Sequence, residues 1–236
     1  MSITIQQAQT IRGGVRLHGS RVLTGSMYFN GDGYILNNTV ADIVPGTGDF
    51  TVEWFQNIDP NSSGNTRIWE ISPWNNTYWG VSEEGWSAGR SFYYWDTPGT
   101  YANLGYVTDT HGVWSHMALV RASGTLTLYI NGTVMYSQAN AADISNTDFQ
   151  LSIGGEAINN DALLTGYITN FRITHNAQYT SAFTPLVGPL TAVAGTVLLM
   201  LASDAGSMLT DSSGLGHTWT PYLNGVTWSS NTPFNG

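Results

Sequence analysis

The pattern at residues 113–136 constrains the fold more than any other part of this chain. Apolar side chains occupy every second position of residues 126–130, the period that turns one set of side chains into a core. Asn131 and Gly132 follow, and both tolerate the positive φ that a tight type I′ hairpin requires. Residues 114–120 are apolar at both alternating sets, which predicts an inner strand covered on both faces. Together these pieces predict a β-meander at the centre of an antiparallel sandwich.

The same meander resembles the signature of the laminin-G-like, concanavalin-A-like lectin/glucanase superfamily. Segments that resemble other core strands of that family occur in the family's order, at residues 25–35, 48–55, 151–155 and 164–174. The resemblance covers about residues 25–185 and is specific for a fold, not for an activity. It implies an all-β protein, an antiparallel two-sheet β-sandwich of the jelly-roll type with N- and C-terminal strand extensions.

Three segments are predicted along the 236 residues, a length that one sandwich domain commonly reaches. They are an N-terminal arm (1–24), the laminin-G-like sandwich (25–186) and a C-terminal strand extension (187–236). Within the sandwich, residues 177–185 are expected to wrap an edge. The extension is similar to the junction between lectin-like units in repeat arrays of tailed-bacteriophage structural proteins. We expect its strands to pack on the sandwich or on a neighbouring subunit.

Composition excludes several classes of function. A formal charge of −9 argues against nucleic acid as a partner, because phosphates require a basic surface. The absence of cysteine excludes disulfides, thiolate metal sites and cysteine nucleophiles. No apolar run is long enough for a membrane span, and the N-terminus lacks the apolar core of a secretory signal.

The N-terminal arm carries Arg12, Arg16 and Arg21 and no acid, although the chain as a whole is acidic. One interpretation is an edge strand with solvated arginines. The other is an assembly arm that docks on an acidic neighbour, including another copy of this chain, because opposite charges steer association.

Catalysis is not predicted. Glucanases of this superfamily carry an acid-x-Asp-x-x-acid run that places two carboxylates on one face of a strand. Neither Glu53, Glu70 nor the Glu83-Glu84 pair has that spacing. The histidines lack metal-ligand spacing, and no cofactor or metal is predicted; calcium stays open, because related domains often hold it with loop oxygens.

Tryptophans divide into two groups. Trp54, Trp69, Trp79 and Trp114 fall on predicted strands and are expected in the core. A second group lies in or beside predicted turns, including those at 82–87 and 96–100. Exposed indoles with neighbouring amides and carboxylates suit sugar rings. The candidate carbohydrate-binding residues are Trp74, Trp86, Trp95, Asn75, Asn76 and Asp96. Packing of these loops over the core and self-association through the same aromatics remain alternatives.

These observations predict a non-enzymatic virion structural protein, a capsid decoration or a tail or fibre module, that mediates assembly or surface adhesion. Its expected partners are other virion proteins or copies of itself and surface glycans, with no nucleic acid and no membrane. It would be made in the host cytoplasm. The alternatives are a free carbohydrate-binding lectin and, less favoured, a glycoside hydrolase of the same fold.

Overall fold

A computed structural model describes residues 24–62, 64–72, 79–86, 89–97, 100–107, 111–146, 150–157 and 159–234. These residues form strands and loops, and none of them belongs to a helix long and apolar enough to cross a membrane. The strands are β1 (Ser26–Asn30), β2 (Tyr34–Asn37), β3 (Phe50–Ile58), β4 (Gly64–Ser72), β5 (Trp79–Trp86), β6 (Gly89–Thr97), β7 (Thr100–Val107), β8 (Ser115–Ala122), β9 (Thr125–Ile130), β10 (Thr133–Ala139), β11 (Gln150–Ile153), β12 (Thr165–Thr174), β13 (Thr196–Met200), β14 (Thr220–Tyr222) and β15 (Val226–Ser229).

Two antiparallel sheets contain these strands. The eight-stranded sheet has the order β10-β9-β8-β3-β12-β1-β15, and β13 pairs with β12 beyond the end of β1. The seven-stranded sheet has the order β14-β2-β11-β4-β5-β6-β7. The predicted all-β sandwich is therefore confirmed.

The β8–β9–β10 meander has the predicted turn chemistry. Asn131 and Gly132 have φ values of 49° and 76°, as a type I′ turn requires. The β8–β9 turn, at Ser123 and Gly124, has φ values of 48° and 76°. β8 lies between β3 and β9, and its first seven residues are buried, which confirms an inner strand covered on both faces.

Aromatic side chains fill the space between the sheets. Trp54 from one sheet and Trp69 from the other meet at a centroid distance of 6.5 Å with their planes 78° apart, and both are fully buried. Trp79 is also fully buried, 5.0 Å from Trp69. The core prediction is correct for these three. Trp114 instead is half-buried in a small apolar cluster around Phe55, outside the main core.

The outer face of the eight-stranded sheet lies beneath the chain that follows β12. Tyr179 and Phe183 stack at 3.6 Å and pack against Ala118, Val120 and Tyr129. The Tyr179 hydroxyl donates to Glu53 on β3, and Phe183 N donates to Gly132 O at the β9–β10 turn. This segment therefore crosses the face of the sheet, and the expectation that it wraps an edge was wrong. The aromatic pair covers the apolar side chains that point from the strands to the outer face of this sheet, away from the core between the sheets.

The C-terminal chain contributes strands to both sheets. β13 adds to β12, and β15 pairs with β1 at an edge of the eight-stranded sheet. β14 pairs with β2 at an edge of the seven-stranded sheet. All three strands thus pair within their own chain.

Candidate functional site

The outer face of the seven-stranded sheet, called the front face from here on, carries two adjacent rows of side chains. Arg67, Ser82 and Tyr93 are in register across β4, β5 and β6. Glu70, Gly80 and Trp95 form the neighbouring row. Because side chains alternate along a strand, these positions point away from the core residues Trp69, Val81 and Tyr94.

A β-bulge brings Arg67 to this face. The register of β4 against β5 shifts between Arg67 and Trp69, so Ile68 is an extra residue and is fully buried. Without the extra residue, Arg67 and Glu70 would point to opposite faces. With it, the Arg67 Nε atom lies 2.8 Å from Glu70 Oε2.

The Arg67 guanidinium lies between three partners. Besides Glu70, its second nitrogen NH2 is 3.5 Å from Glu156 Oε2, and its Cζ atom lies 4.3 Å from the centroid of the Trp95 ring. The contact with Trp95 is a cation–π interaction. One face of the indole is therefore covered by the guanidinium.

Gly80 leaves the space that this arrangement needs. A Cβ atom there would lie 2.7 Å from Trp69 O and 2.8 Å from the Glu70 Cβ atom. Gly80 stands between Glu70 and Trp95 in the row, and the guanidinium bridges those two side chains across it. Any side chain at residue 80 would push the strands or the arginine aside.

Arg67 Nε, Arg67 NH1 and Ser82 Oγ are buried without a hydrogen-bond partner in the described part of the chain. Nε is compensated by its ion pair with Glu70, whereas NH1 and Ser82 Oγ have neither a hydrogen bond nor an ion pair there. Arg67 is 7% exposed and Ser82 is fully buried. An unsatisfied buried polar group is costly, and native proteins hold few of them without a water, ion or ligand to bind. The two residues are direct cross-strand neighbours, so their free groups belong to one site.

The loop that carries Glu156 is held by a tyrosine pair. Tyr34 stacks on Tyr222 at 4.8 Å, and its hydroxyl donates to Ala157 O at 3.0 Å and lies 3.1 Å from Asn160 Oδ1. Burial, with smaller contributions from the nearby Tyr222 and Glu70, raises the pKa of Tyr34 to about 12. The hydroxyl therefore stays protonated and keeps donating to the loop at physiological pH.

Of the six predicted carbohydrate-binding residues, the structure describes the side chains of two, Trp95 and Asp96. Trp95 is on the front face, with its guanidinium contact. Asp96 follows on the same strand, points to the opposite side and accepts a hydrogen bond from Asn140 Nδ2 of the chain after β10. Trp74, Asn75 and Asn76 lie outside the described residues, as does the side chain of Trp86, the last residue of β5. The arm with Arg12, Arg16 and Arg21 also lies outside them.

Two predicted turns belong at least in part to strands. The turn expected at 82–87 is wrong up to residue 86, because β5 runs to Trp86. Asp96 was expected in a turn and lies in β6. Ser82 and Glu83, which suggested a loop, are buried on opposite faces of β5, where Glu83 accepts from Gln56 Nε2 at 3.2 Å.

Arg67, Glu70, Ser82 and Glu156 were not among the predicted binding residues. A search for oppositely charged residues three positions apart could have found Arg67 and Glu70. On a regular strand, however, two residues three positions apart point to opposite faces, so the pair would have been rejected. Among the described residues, no three His, Asp or Glu side chains lie close enough together to hold a metal ion.

Solved structures with the same fold include both assembling and sugar-binding proteins. The heptameric SAP-like pentraxin of Limulus polyphemus superposes with a TM-score of 0.67 at 13% identity, over 92% of this chain and 100% of its own. A candidate carbohydrate-binding protein of Bacteroides ovatus gives 0.62 at 15% identity, over 88% and 60%. Domain 4 of a GH43 extracellular arabinanase from Geobacillus stearothermophilus, solved with arabinotriose, gives 0.52 at 18% identity, over 64% and 71%.

No curated protein matches the sequence. The family model Laminin_G_3, described as concanavalin A-like lectin/glucanases superfamily, matches residues 29–180, which is more than half of the chain. That match and the two-sheet topology agree with the resemblance found in the meander. This chain therefore belongs to the concanavalin A-like lectin/glucanases superfamily.

Proposed function

We propose that this protein is a non-enzymatic, lectin-like adhesion module that binds carbohydrate on its front face and serves as a structural component of a phage virion. The observation that carries the carbohydrate part is the pair of unsatisfied buried groups, Arg67 NH1 and Ser82 Oγ, beside Trp95 and Tyr93. A sugar offers what this site lacks: hydroxyl and ring oxygens for the polar groups, and C–H faces for the aromatic rings.

Two structural relatives support this choice. The Bacteroides ovatus protein is a carbohydrate-binding candidate, and the arabinanase domain was solved with arabinotriose. At 15% and 18% identity they share the fold with this chain, and the sugar is inferred here from the chemistry of the front face.

The carboxylates favour binding over hydrolysis. Glu70 lies on the front face, fully buried, paired with Arg67 and accepting from Ser72 Oγ at 3.0 Å. Glu83 points to the other side of the sheet, where Gln56 and His111 contact it. A glycosidase needs two carboxylates that flank one bond. On the front face, Glu70 and Glu156 instead share Arg67 as their ion-pair partner, and Glu83 lies on the opposite face of the sheet.

The virion role rests on sequence similarity and on composition. The C-terminal extension is similar to junctions in repeat arrays of phage structural proteins, and the chain has no lysine. Native mass spectrometry of the purified full chain separates this role from a free lectin. A decoration or fibre subunit should form a defined oligomer or bind purified phage particles, whereas a strictly monomeric chain that binds no particle would contradict the virion role.

The carbohydrate part is tested on a glycan array with two tryptophan variants. Trp95→Ala removes the front-face indole, and we expect at least about tenfold weaker binding, because an aromatic stacked at the centre of a site commonly carries 1–3 kcal/mol. Trp114→Ala is the matched control, since Trp114 is also half-buried but lies outside the front face. Thermal unfolding of both variants checks that each is folded. Equal losses in both variants, or no glycan bound by the wild type, would refute the proposal.

A further inference from the structure

We infer that Glu156 makes the front-face site selective for neutral sugars over acidic ones, an inference that rests on the proposed carbohydrate binding. Of the two carboxylates that contact Arg67, Glu70 is fully buried and the Glu156 side chain is 20% exposed. Glu156 is thus the charged group of this cluster that reaches solvent and meets an incoming ligand. Its Oε1 atom accepts from Asn159 Nδ2 at 2.7 Å, which fixes the carboxylate beside the guanidinium.

The charges of the cluster do not balance. Among the described side chains, one arginine faces two glutamates, which leaves a surplus of one negative charge around the Arg67 NH1 group. NH1 therefore offers a hydrogen-bond donor in a negative local field. A hydroxyl or ring oxygen can accept that bond without charge repulsion, while a uronate, sialate or sulfate group meets a like charge.

Acidic ligands are normally held by arginines whose charge is free to pair with them. The described arginine side chains do not offer this. Arg121 is 1% exposed and donates to the carbonyls of Gly46, Gly48 and Ala142, and Arg172 is 4% exposed and paired with Glu53. Residues 24–236 contain sixteen acids and four arginines, a formal charge of −12. The field of the sandwich adds to the local repulsion of anionic sugars.

A neutral sugar also gains from Glu156. Sugar hydroxyls are donors as well as acceptors, and a carboxylate is the strongest acceptor available to them. One sugar could accept from Arg67 NH1 and donate to Glu156, because the Glu156 carboxylate lies 3.5 Å from NH2 of the same guanidinium. Glu156 thereby both attracts the neutral ligand and repels the acidic one.

The test compares matched pairs of sugars that differ only in a CH₂OH or a carboxylate group, such as galactose- and galacturonate-terminated oligosaccharides, arrayed side by side. We expect wild-type protein to favour the neutral member by about tenfold or more at low salt, and the preference to shrink as salt screens the charges. In Glu156→Gln, which keeps the size of the side chain and removes its charge, the preference should fall to about threefold or less.

Asp161→Asn is the matched control in the same loop, because the Asp161 side chain accepts from Ala162 N on its own loop. Equal or tighter wild-type binding of acidic members overturns this inference and leaves carbohydrate binding standing. An equal effect of Asp161→Asn overturns the role of Glu156, because the general field of the loop would then set the preference. An array on which no sugar binds overturns the proposed function and this inference together.

Discussion

Each sheet buries an arginine–glutamate pair on its outer face, and the two pairs differ in how completely they are satisfied. On the eight-stranded sheet, Arg172 Nε and NH2 donate to Glu53 Oε1, and NH1 donates to Thr191 O at 2.6 Å. On the front face, Arg67 has Glu70 and Glu156 as partners, but its NH1 has none within the described residues. The first pair is fully satisfied within the chain, and the second leaves the hydrogen-bonding capacity that the proposed sugar would use.

The covering chain explains the difference. Tyr179 and the main chain at Thr191 both bond into the Glu53 network, so the network fastens residues 175–195 to the sheet. His116 also contacts Glu53, at 3.1 Å, and its second nitrogen has no partner in the described chain. Phe55 and Phe183 pack edge-on against that imidazole, which keeps a ligand away from it. The Arg67 site differs in that no comparable pair of aromatic rings among the described residues covers its unsatisfied atoms; Trp95 contacts the guanidinium from one side.

Replacing Glu53 by Gln should have the largest effect on stability. The change leaves Arg172 as a buried charge without its partner, and breaking such a pair costs about 3–5 kcal/mol. Urea denaturation at neutral pH measures the loss. Glu156→Gln is the control on the front face, with an expected loss below about 1 kcal/mol because its carboxylate is partly exposed. Similar losses in both variants would contradict the distinction between the two pairs.

The dependence of the free energy of unfolding on acidic pH tests the same Glu53 network. Burial alone would raise the pKa of Glu53, but the hydrogen bond from His116 and the charge of Arg172 outweigh it and hold that pKa below its usual 4.5. The stabilisation is therefore present above pH 4.5 and is lost as the pH falls through the lower value of the folded state. Glu53→Gln should flatten this part of the curve, and an unchanged acid slope would show that Glu53 is not the group responsible.

Gly80→Ala should have an intermediate effect, centred on the front face. The new methyl group meets Trp69 O at 2.7 Å, a backbone atom that moves only with its strand, so we expect a loss of about 1–3 kcal/mol. The displaced Arg67 should also lose its contact with Trp95, which weakens glycan binding. Gly188→Ala is the control, because no atom lies within 4 Å of a Cβ there. If both variants unfold at the same urea concentration, the close packing at Gly80 does not matter for stability.

The sequence predicts local features of this fold well and the front-face site poorly. Asn131-Gly132 specifies its turn through its own backbone preferences, and the alternation beside it specifies which side chains enter the core. The Arg67 site depends on an extra residue at Ile68 and on a loop about ninety residues further along the chain, which carries Glu156. A bulge reverses the alternation of inward and outward side chains on which strand prediction depends. The amino-acid sequence of β4 contains no signal that predicts this bulge. Asp96 shows a similar limit of sequence-based prediction. The face of the sheet to which its side chain points could be assigned only after the structure showed that β6 continues to Thr97.

The smallest effect is expected where the C-terminal chain approaches the seven-stranded sheet, and it has the opposite pH dependence from Glu53. His217 lies between two carboxylates, with Nδ1 2.7 Å from Asp211 Oδ2 and Nε2 3.0 Å from Asp42 Oδ1. Burial lowers the pKa of His217, but these two carboxylates outweigh it and the pKa is raised above its usual 6.5. The stabilisation is thus fully present below pH 6.5 and is lost as the pH rises through the folded-state value.

We expect a stability difference of at most about 1 kcal/mol across this range, because the Asp42 side chain is 51% exposed and water screens that pair. Thermal unfolding of wild type and His217→Gln between pH 5 and 9 measures it, since the variant lacks the titrating group and should show a flatter curve. Asp42→Asn separates the two carboxylates: it should remove part of the slope and leave the part due to Asp211, which accepts from Leu199 N as well and so connects His217 to β13. A wild-type curve that rises toward alkaline pH would mean that burial, not the carboxylates, sets the protonation of His217. Of the two networks, that of Glu53 would then be the one whose charges hold the chain after β12 to the sandwich.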